Sequence, residues 1–193
     1  MIKGDAQSVL PEKVTETQKR AFQYFLAAYS QATRRISRDL NRHSEVSLEQ
    51  YDVLVTLEYS DDYRIRLNDL ADRVLLSRSG LTRLIDKLEQ KGYVIRETCQ
   101  EDRRGAFAVL TPLGLKARQD TWPVIESSMI RHFANLFETE EETAAFIKTC
   151  RKIAFGSQPS GQPWDQELTP CGSANHEAEM CPQALNIPSD CED

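Results

Sequence analysis

The run S-R-S-G-L-T-R-L-I-D-K-L-E-Q-K from Ser77 to Lys91, followed by Gly92, limits what this chain can fold into more than any other stretch. Leu81, Leu84, Ile85 and Leu88 recur at i, i+3, i+4 and i+7, the apolar stripe of an amphipathic helix. Ser77 can accept a hydrogen bond from the free N–H groups of the first turn, and Gly92 can take the left-handed conformation that ends a helix. The opposite face carries Arg78, Ser79, Thr82, Arg83 and Asp86. Short hydrogen-bonding groups beside two arginines suit phosphates and base edges.

The flanks give this helix a setting. Leu67 to Val74 reads as a shorter helix with Leu67, Leu70, Ala71 and Val74 inward. The junction at Leu75 and Leu76 leaves a turn of about three or four residues, the spacing of a helix-turn-helix. After Gly92, Tyr93 to Arg96 and Ala106 to Leu110 are rich in β-branched and aromatic residues and read as two strands. Between them lies a polar tip, Glu101 to Gly105, with its glycine at the turn. The sequence therefore predicts a mainly α fold with a small β-wing: a winged helix-turn-helix.

These residues carry a family resemblance. The order L-x-x-L-A-D-x-V, S-R-S-G-L-T-R-L-I-D-K-L-E-Q-K-G-Y-V-I-R, D-R-R-G and L-T-P-L-G resembles the MarR family of bacterial transcription regulators, over Thr15 to Phe155. The resemblance implies sequence-specific binding to double-stranded DNA by a homodimer, as a ligand-responsive repressor on an inverted-repeat operator. The family's Asp-x-Arg motif matches Asp102 and Arg104, which makes Arg104 the minor-groove residue and Asp102 its positioning partner. Arg103 is a phosphate contact or a second tip residue, and Ser77 a helix cap, a DNA contact or both. Small aromatic or phenolic effectors would bind where the dimer helices meet the winged domain, with Tyr24, Tyr29, Tyr51 and Trp122 as candidates beside their ordinary role in packing. The oxidation-sensing branch of the family uses a cysteine near the start of its first helix, and this chain has none there.

Charge does not oppose DNA binding, although the whole chain carries −6. No Lys or Arg follows Gly156, where seven acidic residues collect, so the first 155 residues carry +1. Between Arg64 and Arg104, ten Lys/Arg face seven Asp/Glu. The field at a docking face matters more for DNA than the whole-chain balance.

Outside the winged core, residues 1–14 show no period and read as a flexible arm. A long helix follows over about 15–41, with Phe22, Phe25, Leu26, Tyr29, Ala32, Ile36 and Leu40 as its stripe. Ser47 and Gln50 form a capping box opening a second helix to about Tyr59. Arg64 to Arg66 fits either a strand or a connector. Thr111 and Pro112 start a helix expected to run through Leu136 with a kink at Pro123, and Thr139 to Glu142 form a capping box for the last one. The DNA-binding lobe thus spans about 48–110 and the dimerisation helices about 15–41 and 112–155, within one domain of 15–155.

The tail, 156–193, is acidic and rich in Pro and Gly, a composition that favours disorder. Cys171, His176, Cys181 and Cys191 lie there without the close pairs of a zinc motif, so no metal or cofactor is expected. His43, His132 and His176 stand in separate segments, and no phosphate loop or nucleophile motif is present, so an enzyme is not expected. A winged-helix protein–protein adaptor is the main alternative. A redox- or metal-sensing regulator using Cys99, Cys150 or the tail is another, with Cys150 expected as a buried structural residue. The N-terminus lacks a secretory pattern and no apolar run would span a bilayer, which favours a cytoplasmic protein with no membrane partner.

Overall fold

A computed structural model of the chain describes residues 13–74, 78–98 and 106–156. Along them run α1 (Glu16–His43), α2 (Leu48–Glu58), β1 (Arg64–Arg66), α3 (Leu67–Arg73), α4 (Arg78–Gln90), β2 (Val94–Thr98), β3 (Ala106–Leu110), α5 (Pro112–His132) and α6 (Glu140–Phe155). The three strands form an antiparallel sheet in the order β1-β3-β2. The expected arm before Lys13, the turn at 75–77, the wing tip at 99–105 and the tail beyond Gly156 lie outside the described residues.

Local chemistry sets most of the boundaries. Thr15 and Gln18 cap α1 reciprocally, and Ser47 and Gln50 do the same for α2. Thr111 Oγ1 accepts from Gly114 N–H at 3.0 Å, with Pro112 in the first turn of α5. Helix α4 ends on Gly92 at φ +72°: Tyr93 N–H donates to Leu88 O at 2.9 Å and Gly92 N–H to Glu89 O at 2.8 Å, the paired bonds of a left-handed C-cap. The box expected at α6 forms only by half. Thr139 accepts from Glu142 N–H at 3.2 Å, but the Glu142 carboxylate accepts from Glu138 N–H, one residue before the cap.

The core gathers behind α4. Leu81, Ile85 and Leu88 are buried against Leu70, Ala71 and Val74 of the preceding segment, Val53, Leu54 and Leu57 of α2, and Ile65, Val94, Ala108 and Leu110 of the sheet. Each fully buried aliphatic side chain contributes about 1.5–3 kcal/mol. Arg64 to Arg66 is a strand, with Ile65 opposite Ala108, because its central residue alone turns inward. The turn before it holds Asp62 and Tyr63 at φ 54° and 55°, a left-handed conformation unfavourable for side-chain-bearing residues.

The outer helices depart from expectation in two ways. Helix α5 continues through Pro123 but ends at His132, and Ala134 to Leu136 form a 3₁₀ turn rather than helix. Phe133, Phe137 and Phe146 pack ring against ring there, with centroids 5.2–5.8 Å apart, and hold the elbow into α6. The stripe of α1 is also divided. Leu40 is buried and Ile36 half-buried, whereas Phe22, Phe25, Leu26 and Tyr29 are exposed. Toward its C-terminus α1 is tied to α5: Ser128 Oγ donates to Asp39 Oδ2 at 2.8 Å, and His132 Nε2 lies 3.0 Å from the same oxygen. Those contacts hold the Asp39 carboxyl below its ordinary pKa, the Ser128 hydroxyl most, against the opposing effect of burial. No residue of α6 is buried, and Cys150 is half-exposed rather than buried.

Candidate nucleic-acid interface

Helix α4 is held by its apolar stripe, so its other face is presented outward. Thr82 and Arg83 are exposed there, as the period requires. Arg78 and Ser79 occupy the first turn of α4, although their side chains, like all of Ser77, lie outside the described residues. Asp102, Arg103 and Arg104 also lie outside them, in the segment joining Thr98 of β2 to Ala106 of β3. Of the residues expected to meet DNA, the described side chains are those of Thr82 and Arg83.

Asp86 is half-exposed on that face but paired. Arg96 of β2 donates from Nη2 to its Oδ1 at 2.5 Å, while Nη1 pairs with the Glu89 carboxylate. Arg96 is a functional candidate that pattern reading missed. Two signals point to it: an arginine two residues from the inward Val94 on one strand, and carboxylates three apart on the neighbouring helix.

A second basic group lies on the outer side of the sheet. The guanidinium carbons of Arg64 and Arg66 stand 4.2 and 5.0 Å from the centroid of the Phe107 ring, and Arg64 lies 3.5 Å from Glu97.

Of the four aromatic candidates, two come together. Tyr51 is buried, Trp122 half-buried, and their rings lie 5.9 and 5.8 Å from the guanidinium of Arg118 between α2 and α5. Tyr24 and Tyr29 are exposed on α1, at 69% and 53%. A separate open cleft of about 580 Å³ between α2 and α4 is lined by Ser47, Gln50, Leu84, Lys87 and Lys91 among others, and by none of these aromatics.

A recognition helix on a helix-turn-helix frame, backed by an antiparallel ribbon, defines a winged helix-turn-helix DNA-binding protein. Residues 46–105 match the model of the MarR family. Among solved structures, the chain is similar to AbsC, a MarR family transcriptional regulator from Streptomyces coelicolor, at 33% identity and a TM-score of 0.65, covering 75% of this chain and 96% of that one. It is also similar to Sco3205 from the same organism, a MarR family regulator solved in complex with DNA, at 28% identity and a TM-score of 0.69, covering 82% and 99%. The regulator MhqR of Bacillus subtilis (strain 168) is 28% identical over 129 residues, 67% of this chain and 87% of MhqR. The chain belongs to the MarR family and is a DNA-binding transcription regulator. Among the described residues no helix is long and apolar enough to cross a membrane.

Proposed function

We propose that the protein is a cytoplasmic repressor that binds an inverted-repeat operator as a homodimer and is released by a small-molecule effector. The observation that carries this reading is the apolar surface left on the outer helices. Phe22 is 63% exposed, Tyr29 53%, and Ile147 and Ile153 59% each. Exposed apolar surface on this scale marks an association site. A two-fold partner on α1, α5 and α6 would cover it and supply a second recognition helix for a second half-site. The complex of Sco3205 with DNA supports DNA as the target.

In this reading Ser79, Thr82 and Arg83 read base edges, while Ser77, Arg78 and Arg103 contact phosphates. Arg104, steadied by Asp102, enters the minor groove. The effector, a small aromatic or phenolic molecule, binds near the seam of Tyr51 and Trp122, where it would meet two rings; Tyr24 and Tyr29 would join it only through the dimer. Light scattering at micromolar protein should give twice the chain mass, and anisotropy titration should give two chains per duplex. A monomer that binds DNA one to one would contradict the proposal.

A further inference from the structure

Arg96 occupies an inward register of β2. It pairs with the fully buried Ala108, two residues from the fully buried Val94, whereas its neighbour Ile95 pairs with Val109 and is exposed. Its guanidinium consequently turns toward α4 and away from the outer face of the wing. There it reaches three residues spaced over two helical turns. Nη2 donates to Thr82 O at 3.3 Å and Asp86 Oδ1 at 2.5 Å, and Nη1 donates to Glu89 Oε2. The Arg96 backbone N–H donates to the other Glu89 oxygen at 3.1 Å, so one carboxylate is held by both main chain and side chain.

We propose that Arg96 is a positioning residue for DNA reading: it fixes the angle between the recognition helix and the wing and neutralises two helix carboxylates, without touching DNA. The apolar stripe sets the depth of α4 in the core, but packing of that kind is weakly directional. Charge-assisted hydrogen bonds to a planar guanidinium are directional, and these act on the polar edge of the helix beside Arg83. Base-edge contacts need side chains held to about 0.5 Å, so a small roll of α4 should disturb sequence preference before general binding. The carboxylates matter too. Asp86 and Glu89 would repel phosphates if Arg96 did not offset them.

The inference rests on the chain's DNA binding and is tested with the duplex that wild-type protein enriches from a random pool, beside a scrambled duplex of the same composition. The variants are R96Q, R96K, D86N/E89Q and the triple substitution, each checked for an unchanged melting transition in the dimer. R96Q should lose roughly tenfold on the enriched duplex, much less on the scrambled one, and keep the wild-type salt slope. In the D86N/E89Q background, adding R96Q should change much less, because the charged partners it serves are gone and only neutral acceptors remain. R96K, with charge but no fork, should recover binding to the scrambled duplex without recovering preference. Equal losses on both duplexes with a shallower salt slope would identify a direct phosphate contact and overturn the proposal. An undiminished preference in R96Q would overturn it as well. If wild type enriched no sequence, the DNA reading beneath it would fail first.

Discussion

The guanidinium Nε of Arg118 lies 2.7 Å from Glu58 Oε2 in the seam between α2 and α5, with the side chains only 5% and 13% exposed. The two atoms meet as opposite charges. Tyr51 and Trp122 close the seam on either side of the guanidinium. This pair joins the winged domain to the helix that leads out of it, so its integrity bears on both stability and any signal passing between them.

Removing one partner leaves the other charge buried. Glu58→Gln should destabilise the protein by about 3–5 kcal/mol, while the double variant Glu58→Gln, Arg118→Met should lose less than the sum of the single losses. Urea denaturation of the two single variants and the double variant measures this. Simple additivity would show that the pair does not couple.

Asp52 on α2 gives a pH-dependent counterpart. Burial, and secondarily the charge of Glu49, raises its carboxyl from 3.8 to about 6. The folded state therefore binds a proton more tightly than the unfolded state does. The destabilisation is complete above about pH 6 and fades as pH falls toward the unfolded value. Asp52→Asn should raise stability by about 1–3 kcal/mol at neutral pH and by far less near pH 4. Thermal melts at the two pH values check the sign; an equal gain at both would refute the assignment.

Gly114 in the first turn of α5 is required by proximity rather than by backbone angle. A Cβ there would stand 2.1 Å from Tyr93 O, the same carbonyl that accepts from Thr111 N–H. Gly114→Ala should therefore destabilise by roughly 2 kcal/mol or more, since the obstruction is main chain and cannot swing aside. A melting temperature within a degree or so of wild type would contradict the packing described.

The proposed division of labour between helix and wing predicts two different defects. Arg83→Ala should relax preference at particular base positions and weaken the enriched site by about 1–3 kcal/mol. Arg104→Ala should weaken binding to nearly all sequences and reduce the salt slope by roughly one for each phosphate no longer neutralised, doubled in a dimer. Titrations of both variants at several salt concentrations separate these outcomes. An Arg104→Ala protein that binds like wild type would remove the wing from the account.

The helix and its frame were legible in the sequence because local chemistry determines them. The stripe of Leu81, Leu84, Ile85 and Leu88, the Gly92 terminus and the Thr111 cap all act within a few residues of chain. What pattern reading missed depends on residues distant in sequence. Arg96 enters the pattern only as the end of a strand, because its partners, Asp86 and Glu89, lie on another element. The end of α5 at His132 follows from the packing of Phe133 with Phe137 and Phe146, which no helical period encodes. For α1, the period marked an apolar stripe correctly, but it could not distinguish the end packed within the chain at Leu40 from the end left open at Phe22.

Selection of bound duplexes from a random pool by the full chain tests the central claim most directly. A homodimer presenting two α4 helices should enrich an inverted repeat whose half-sites are centred about 34–36 Å apart, one turn of the duplex. Enrichment of an unpaired half-site, or of no sequence at all, would contradict it.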